Sequence, residues 1–340
     1  MAKKDGDEVK RLLKPQLDGD YWMIGDNPEV IELTEYDELT GEFTQHCVDH
    51  HIFRSEDGKW NLWGCIRGLK NGRILYHWQG DSLTDRHWHQ TGEIIRADRS
   101  YGESIDDWYD KEYIQSPYVV KENGKYYMFY GGHTTGMDYE GNPITAYGGN
   151  IDLLYTNSIC QMCLMTSLDG IHWERHENEN GKSNVFEGPG EVRDPCLLKI
   201  GGTWYMYYAG CHKEEDKVVP GIYARKSEDL INWSEYRLVH SDVRRRFGGE
   251  FWNQECPHVV ERGGYYYLFT TQDYASGRTH VFRSEDMLDF GVGDSMKYYV
   301  GMIYAAAPEI IVDADGSEYI TSNHYLLGGT MLSHLKWIEV

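Results

Sequence analysis

Apolar and polar positions alternate along this chain in one hairpin pattern that is written five times. Its fullest copy runs from Ser116 to Tyr130: a short apolar strand, a turn with Gly124 where positive φ is tolerated, then a strand of aromatic and β-branched residues. The pattern returns from Asp194 to Tyr208 and from Cys256 to Thr270, with looser copies from Asp49 to Trp63 and from Ala307 to Thr321. A second motif follows each hairpin, at Ser167–Trp173, Ser227–Trp233 and Ser284–Phe290, and more loosely at Asp81–Trp88 and Ser333–Trp337. In it Ser and Asp cap a turn and an aromatic side chain packs an outer strand, so each repeat supplies four strands. Copies begin about 50 to 80 residues apart. This spacing predicts an all-β, five-bladed β-propeller with four-stranded antiparallel blades around a central axis. Residues 21–340 read as a single propeller domain and residues 1–20 as an irregular N-terminal extension. The segment Tyr21 to Gly25 is expected to complete the last blade. The long insertion at about 131–158, rich in Gly, Tyr, Asn and Thr, has the length of a functional or unstructured loop.

Composition narrows the partners. The 340 residues carry a formal charge of -22, which disfavours nucleic acid and anionic membrane surfaces. A neutral or weakly charged substrate such as a carbohydrate fits better. The one basic run, Arg244 to Arg246, reads as a solvated loop or a phosphate contact. Seven cysteines without dense spacing argue against a disulfide framework. Cys160 and Cys163 form a CxxC, but three residues apart on a strand they point to opposite faces, which disfavours a metal or redox role. The first residues hold no apolar signal core, so the chain as written is expected in the cytoplasm, or in a secreted or periplasmic location if a leader has been removed.

The first strand of each propeller blade lines the axis, so residues that begin these strands converge on one funnel. At those positions the five copies hold Asp49, Ser116, Asp194, Cys256 and Ala307, and Glu255 precedes Cys256. An Asp at the start of a strand is commonly a turn former, which accounts for either aspartate alone. A Glu has no such advantage, and three acids from three blades at one funnel point to a shared site. Crowded carboxylates push their pKa values apart, so that one is ionised while another is protonated. A glycosidase uses such a pair, one acid and one base or nucleophile, around the scissile bond. Asp49, Asp194 and Glu255 are the candidate catalytic residues. Around them His50, Ser116, His133, His212, Arg193, Trp252 and Tyr274 are candidate substrate contacts, with Trp252, Tyr274 and Trp108 as stacking platforms.

Arg193-Asp194-Pro195 and Glu255-Cys256-Pro257 resemble the paired motifs of the five-bladed propeller glycoside hydrolases, families 32, 43, 62 and 68, and the likeness spans about Tyr21 to Trp337. The resemblance implies that Asp194 is a transition-state stabiliser oriented by Arg193, Glu255 the general acid, and Asp49 the nucleophile or base. Around Asp49 the chain reads Cys47 to Phe53 where family 32 surrounds its nucleophile with Trp, Asn, Asp, Pro and Gly. A C-terminal β-sandwich usual in family 32 is also missing, and both departures favour family 43. In this superfamily an axial His can help hold calcium, and His324 is best positioned for it; no cofactor is otherwise required. The expected activity is hydrolysis of furanosidic linkages of fructose or arabinose type. The alternatives are a propeller glycoside phosphorylase drawing on Arg244 to Arg246, and a non-catalytic carbohydrate-binding propeller.

Overall fold

The computed structural model describes residues 10–28, 36–37, 42–43, 45–69, 72–103, 112–132, 160–188, 190–214, 217–242, 254–323 and 328–340. Two N-terminal strands, β1 (Leu13–Leu17) and β2 (Trp22–Asp26), precede a two-stranded hairpin of β3 (Tyr36–Asp37) and β4 (Glu42–Phe43). Blade 1 is β5 (His46–Arg54), β6 (Trp60–Leu69), β7 (Gly72–Gly80) and β8 (His89–Ile95). Blade 2 is β9 (Glu112–Glu122), β10 (Lys125–Gly132) and β11 (Gln161–Ser167), with β12 (Glu174–Arg175) and β13 (Asn184–Glu187) sharing its outer edge. Blade 3 is β14 (Val192–Ile200), β15 (Thr203–Glu214), β16 (Lys217–Ser227) and β17 (Arg237–His240). Blade 4 is β18 (Glu255–Arg262), β19 (Tyr265–Asp273), β20 (Arg278–Ser284) and β21 (Tyr299–Tyr304). Blade 5 is β22 (Ile310–Val312), β23 (Glu318–Ser322) and β24 (Gly329–Glu339). The fold is the five-bladed propeller that the repeat predicts.

The ring closes through its ends. β2 pairs with β24 over Trp22↔Leu332 to Asp26↔Gly329, as the Tyr21 to Gly25 segment predicts. β1 also pairs with β24, over Leu13↔Glu339 to Leu17↔Leu335. Residues 13–17 therefore belong to blade 5, which corrects the reading of residues 1–20 as an extension outside the ring. Pro15 is tolerated there because β1 is an edge strand and needs no second ladder.

Five hydrophobic clusters fill the five gaps between neighbouring blades. Met206 and Tyr208 join Phe129, Met162 and Leu164 of blade 2, whereas Tyr207 and Ala209 join Leu268 and Phe282 of blade 4. Alternate residues of one strand thus feed opposite interfaces. Burial on both faces explains why these strands read as unbroken aromatic runs. Blade 5 meets blade 1 through Ile24, Ile311 and Leu332 against Leu62 and Trp78. The Ser-x-Asp motifs cap turns as expected: Asp169 N–H and Gly170 N–H donate to Ser167 Oγ at 3.2 and 2.8 Å, and Ser227 repeats the pattern with Asp229 and Leu230. All seven cysteines are buried and free.

Candidate active site

In every blade a non-glycine residue in the left-handed region lies in the first half of the inner strand or, in blade 5, just ahead of it. φ is 45° at Asp49, 53° at Ser116, 57° at Asp194, 50° at Cys256 and 47° at Ala307. Side chains disfavour this conformation because Cβ crowds the backbone, and in four blades a proline follows and restricts the residue further. Strand pairing slips at the same place in blades 1 to 4, between Val48 and His50, opposite Ser116 between Phe129 and Gly131, between Arg193 and Cys196, and between Glu255 and His258. Each slip is a β-bulge that re-aims one side chain. Repeated around the axis, it gathers five side chains around one small cavity of about 30 Å³, lined also by His50, Tyr118, His258 and Glu309.

Asp49 and Asp194 meet there. Ser116 Oγ lies 3.0 Å from Asp49 Oδ2 and 2.7 Å from Asp194 Oδ1, so one hydroxyl bridges both carboxylates. Cys256 N–H donates to Asp194 Oδ2 at 3.0 Å. Burial raises the Asp194 pKa and the charge of Asp49 raises it further, against the pull of Arg193 and Ser116. Arg193, buried, spans three acids: Nε is 3.3 Å from Asp194 Oδ2, Nη1 3.4 Å from Glu191 Oε1 and Nη2 3.1 Å from Glu255 Oε2. Glu255 keeps 18% of its side chain exposed. Burial pushes its carboxyl up to about 8; Arg193 opposes the rise, and Asp194 and Asp49 add to it. At neutral pH Glu255 therefore holds a proton while it faces an acidic pair, an acid positioned to donate.

The other expected contacts divide. Ser116 and Arg193 belong to the carboxylate network. Tyr274, expected as a stacking platform, turns its hydroxyl to Asp49, donating to Oδ1 at 2.8 Å and accepting from the Asp49 N–H at 2.9 Å. His50 is only 4% exposed and lines the cavity, and neither ring nitrogen finds a hydrogen-bond partner among the described residues. Burial lowers its pKa, so the ring is neutral at pH 7. His212 is not brought to the carboxylates: it bonds Tyr223 Oη at 2.6 Å and Glu214 Oε1 at 3.1 Å within blade 3. His133, Trp252, Trp108, His324, Arg244 to Arg246 and most of the 131–158 insertion lie outside the described residues.

Two positions further along each strand lies a second ring: His51, Tyr118, Cys196, His258 and Glu309. His51 Nδ1 is 2.8 Å from Glu309 Oε1, and the Ile310 N–H donates to His258 Nε2 at 3.0 Å. Burial raises the Glu309 pKa, but His51, His50 and His258 hold it below the usual value overall. A strand period of two predicts this ring once the first is known. Glu191 was beyond sequence reasoning, because it precedes the repeat and nothing in its neighbours marks it.

The atoms of Asp49, Asp194 and Cys256 that could hold a metal lie within 4.8 Å of one another. Calcium takes six to eight oxygen ligands, and a thiol among three donors does not suit it.

No curated protein matches the chain. Among solved structures, a thermostable family-43 glycoside hydrolase aligns at TM-score 0.58 with 17% identity, over 87% of this chain and 90% of that one. An alpha-L-arabinanase of Cellvibrio cellulosa complexed with arabinohexaose aligns at 0.56 with 15% identity, over 85% and 91%. A GH32 beta-fructofuranosidase of Bombyx mori aligns at 0.56 with 17% identity, over 86% of this chain and 61% of that one. At these identities the likeness is one of fold. The profile of the glycosyl hydrolases family 32 N-terminal domain matches residues 77–264, more than half of the chain. That stretch contains Arg193-Asp194-Pro195 and Glu255-Cys256-Pro257 and starts beyond Asp49, whose surroundings depart from the family 32 pattern. With the matched stretch carrying both motifs, the chain belongs to the glycosyl hydrolases family 32 N-terminal-domain family and is a glycosidase.

Proposed function

We propose that the chain hydrolyses glycosidic bonds of furanosidic residues, of fructose or arabinose type, in oligo- or polysaccharides. The observation that carries this reading is Glu255, a carboxyl raised to about 8 and joined through Arg193 to Asp194, which with Asp49 lines the axial cavity. Glu255 protonates the leaving oxygen. As it becomes anionic, Arg193 Nη2 at 3.1 Å stabilises the charge. Asp49, held by Tyr274 and Ser116, serves as nucleophile or base, and Asp194 accepts hydrogen bonds from sugar hydroxyls that strengthen in the transition state. The alpha-L-arabinanase and beta-fructofuranosidase among the similar structures support a furanosidic substrate.

A panel of nitrophenyl furanosides and pyranosides, with chromatography of fructan and arabinan digests, tests this. Release of fructose- or arabinose-type sugars by the wild type and its loss in Glu255→Gln are expected. Turnover only of pyranosides, or near-normal activity in Glu255→Gln, would sink the proposal. Turnover that requires phosphate would assign a phosphorylase instead.

A further inference from the structure

Asp49 and Asp194 are bridged twice, by the Ser116 hydroxyl on one side and by the Cys256 thiol on the other. Cys256 Sγ lies 3.5 Å from Asp49 Oδ1 and 3.6 Å from Asp194 Oδ2. The thiol is buried between the two carboxylates, on the oxygen of each that Ser116 does not engage. A tetrahedral Zn²⁺ with bonds of about 2.3 Å to sulfur and about 2.1 Å to carboxylate oxygen holds sulfur and oxygen about 3.6 Å apart. Both sulfur–oxygen edges have that length before any ion enters.

A second observation points to the same place. His50 lines this cavity with 4% of its surface exposed and both ring nitrogens unpartnered among the described residues. A buried imidazole with no partner is costly, and a water held by a cation in the cavity supplies one. We propose that Asp49, Asp194 and Cys256 form a binding site for a thiophilic divalent cation, represented by Zn²⁺, which holds the enzyme inactive when bound. The inactivation rests on the reading of Asp49 and Asp194 as catalytic carboxylates; the binding does not.

Binding replaces the thiol proton of Cys256, which leaves to solvent, so affinity rises with pH. The ion offsets the repulsion between the two carboxylates and takes the Asp49 oxygen that the sugar would face. Calcium does not compete, because the thiolate is a soft donor.

Equilibrium dialysis of the full chain against Zn²⁺, with Co²⁺ as a spectroscopic probe, tests the site. One Zn²⁺ per chain, a thiolate-to-cobalt charge-transfer band in the near ultraviolet, and loss of glycosidase turnover on binding are expected. Cys256→Ser should lose the band and bind zinc about tenfold or more weakly. Asp194→Asn keeps the thiol and should weaken binding comparably, so the site is still tested if Cys256→Ser fails to fold. Glu255→Gln lies outside the ligand set and should bind zinc as the wild type does, whether or not the hydrolytic reading stands. Undiminished zinc binding in both ligand variants, or a cobalt spectrum without the band, means an adventitious ion only and overturns the site. Full turnover with zinc bound at the ring overturns the inactivation.

Discussion

The Tyr274 hydroxyl engages Asp49 at both ends, accepting from its backbone N–H at 2.9 Å and donating to its carboxylate at 2.8 Å. Tyr274 sits in the β19–β20 turn of blade 4, and Asp49 lies at the bulge within β5 of blade 1 in the left-handed region. One side chain therefore fixes both the strained backbone and the orientation of the carboxylate. Tyr274→Phe removes both bonds and leaves a half-buried N–H without a partner. Stability should fall by about 1–3 kcal/mol. Turnover should fall about 10- to 100-fold with KM changed less, because the carboxylate is displaced and the pocket is not. Thermal denaturation and steady-state kinetics on the same preparation check it, and an unchanged kcat would remove Tyr274 from the positioning role.

Glu255 ties activity and stability to pH in the same direction. In its proposed role as proton donor it must be protonated, so kcat/KM should decline as pH rises through about 8. Its folded pKa lies above the unfolded value of 4.5, so the folded state holds the extra proton between these values. Stability is therefore lost as pH rises through that window. Glu255→Gln should abolish turnover yet raise the melting temperature relative to wild type at pH 9, and leave it nearly unchanged at pH 4. A wild-type melting temperature that rises between pH 5 and pH 8 relative to the variant contradicts the sign.

Arg193 is the one cation seen to bridge Glu191, Asp194 and Glu255 among the described residues. Arg193→Met keeps the apolar stem and removes the charge, which leaves buried carboxylates uncompensated at a cost of about 3–5 kcal/mol. The loss of a nearby positive charge raises the Glu255 pKa further. The alkaline limb of the pH profile should therefore move above that of wild type even as kcat falls. A limb that moves to lower pH would show that Arg193 does not act on Glu255 through its charge.

The N-terminal strands test the closure of the ring. Deleting residues 1–27 removes β1 and β2, both partners of β24, and exposes Ile24 and Leu13 contacts of the two clusters that flank blade 5. The truncated chain should lose cooperative unfolding or melt far below the full chain. Deleting residues 1–9 should leave melting within a few degrees of it.

The repeat made the five blades and the convergence of Asp49, Asp194 and Glu255 legible, because homologous strand starts must share one level of the propeller. β1 was hidden because Leu13 to Leu17 is short, carries Pro15, and finds its register only against the last strand of the chain. The left-handed conformation at Asp49, Ser116, Asp194, Cys256 and Ala307 was hidden too, since neither Asp-Pro nor Cys-Pro encodes it and it arises from closing the bulges around the axis. The role of Tyr274 is not legible either, because an aromatic in a loop near the funnel suits a sugar platform and carries no sign of which way its hydroxyl turns. His212 has the same ambiguity: its strand ends near the funnel, but its neighbours Tyr223 and Glu214 claim it.

Because the same backbone twist recurs at Asp49, Ser116, Asp194, Cys256 and Ala307, the scaffold offers five equivalent sockets whose contents are set by single codons. Two hold carboxylates, one a hydroxyl, one a thiol, and one is left plain with alanine. New chemistry can therefore be installed by changing a side chain in place, with no loop to rebuild, and Ala307 is the socket where such an exchange disturbs least of what already works.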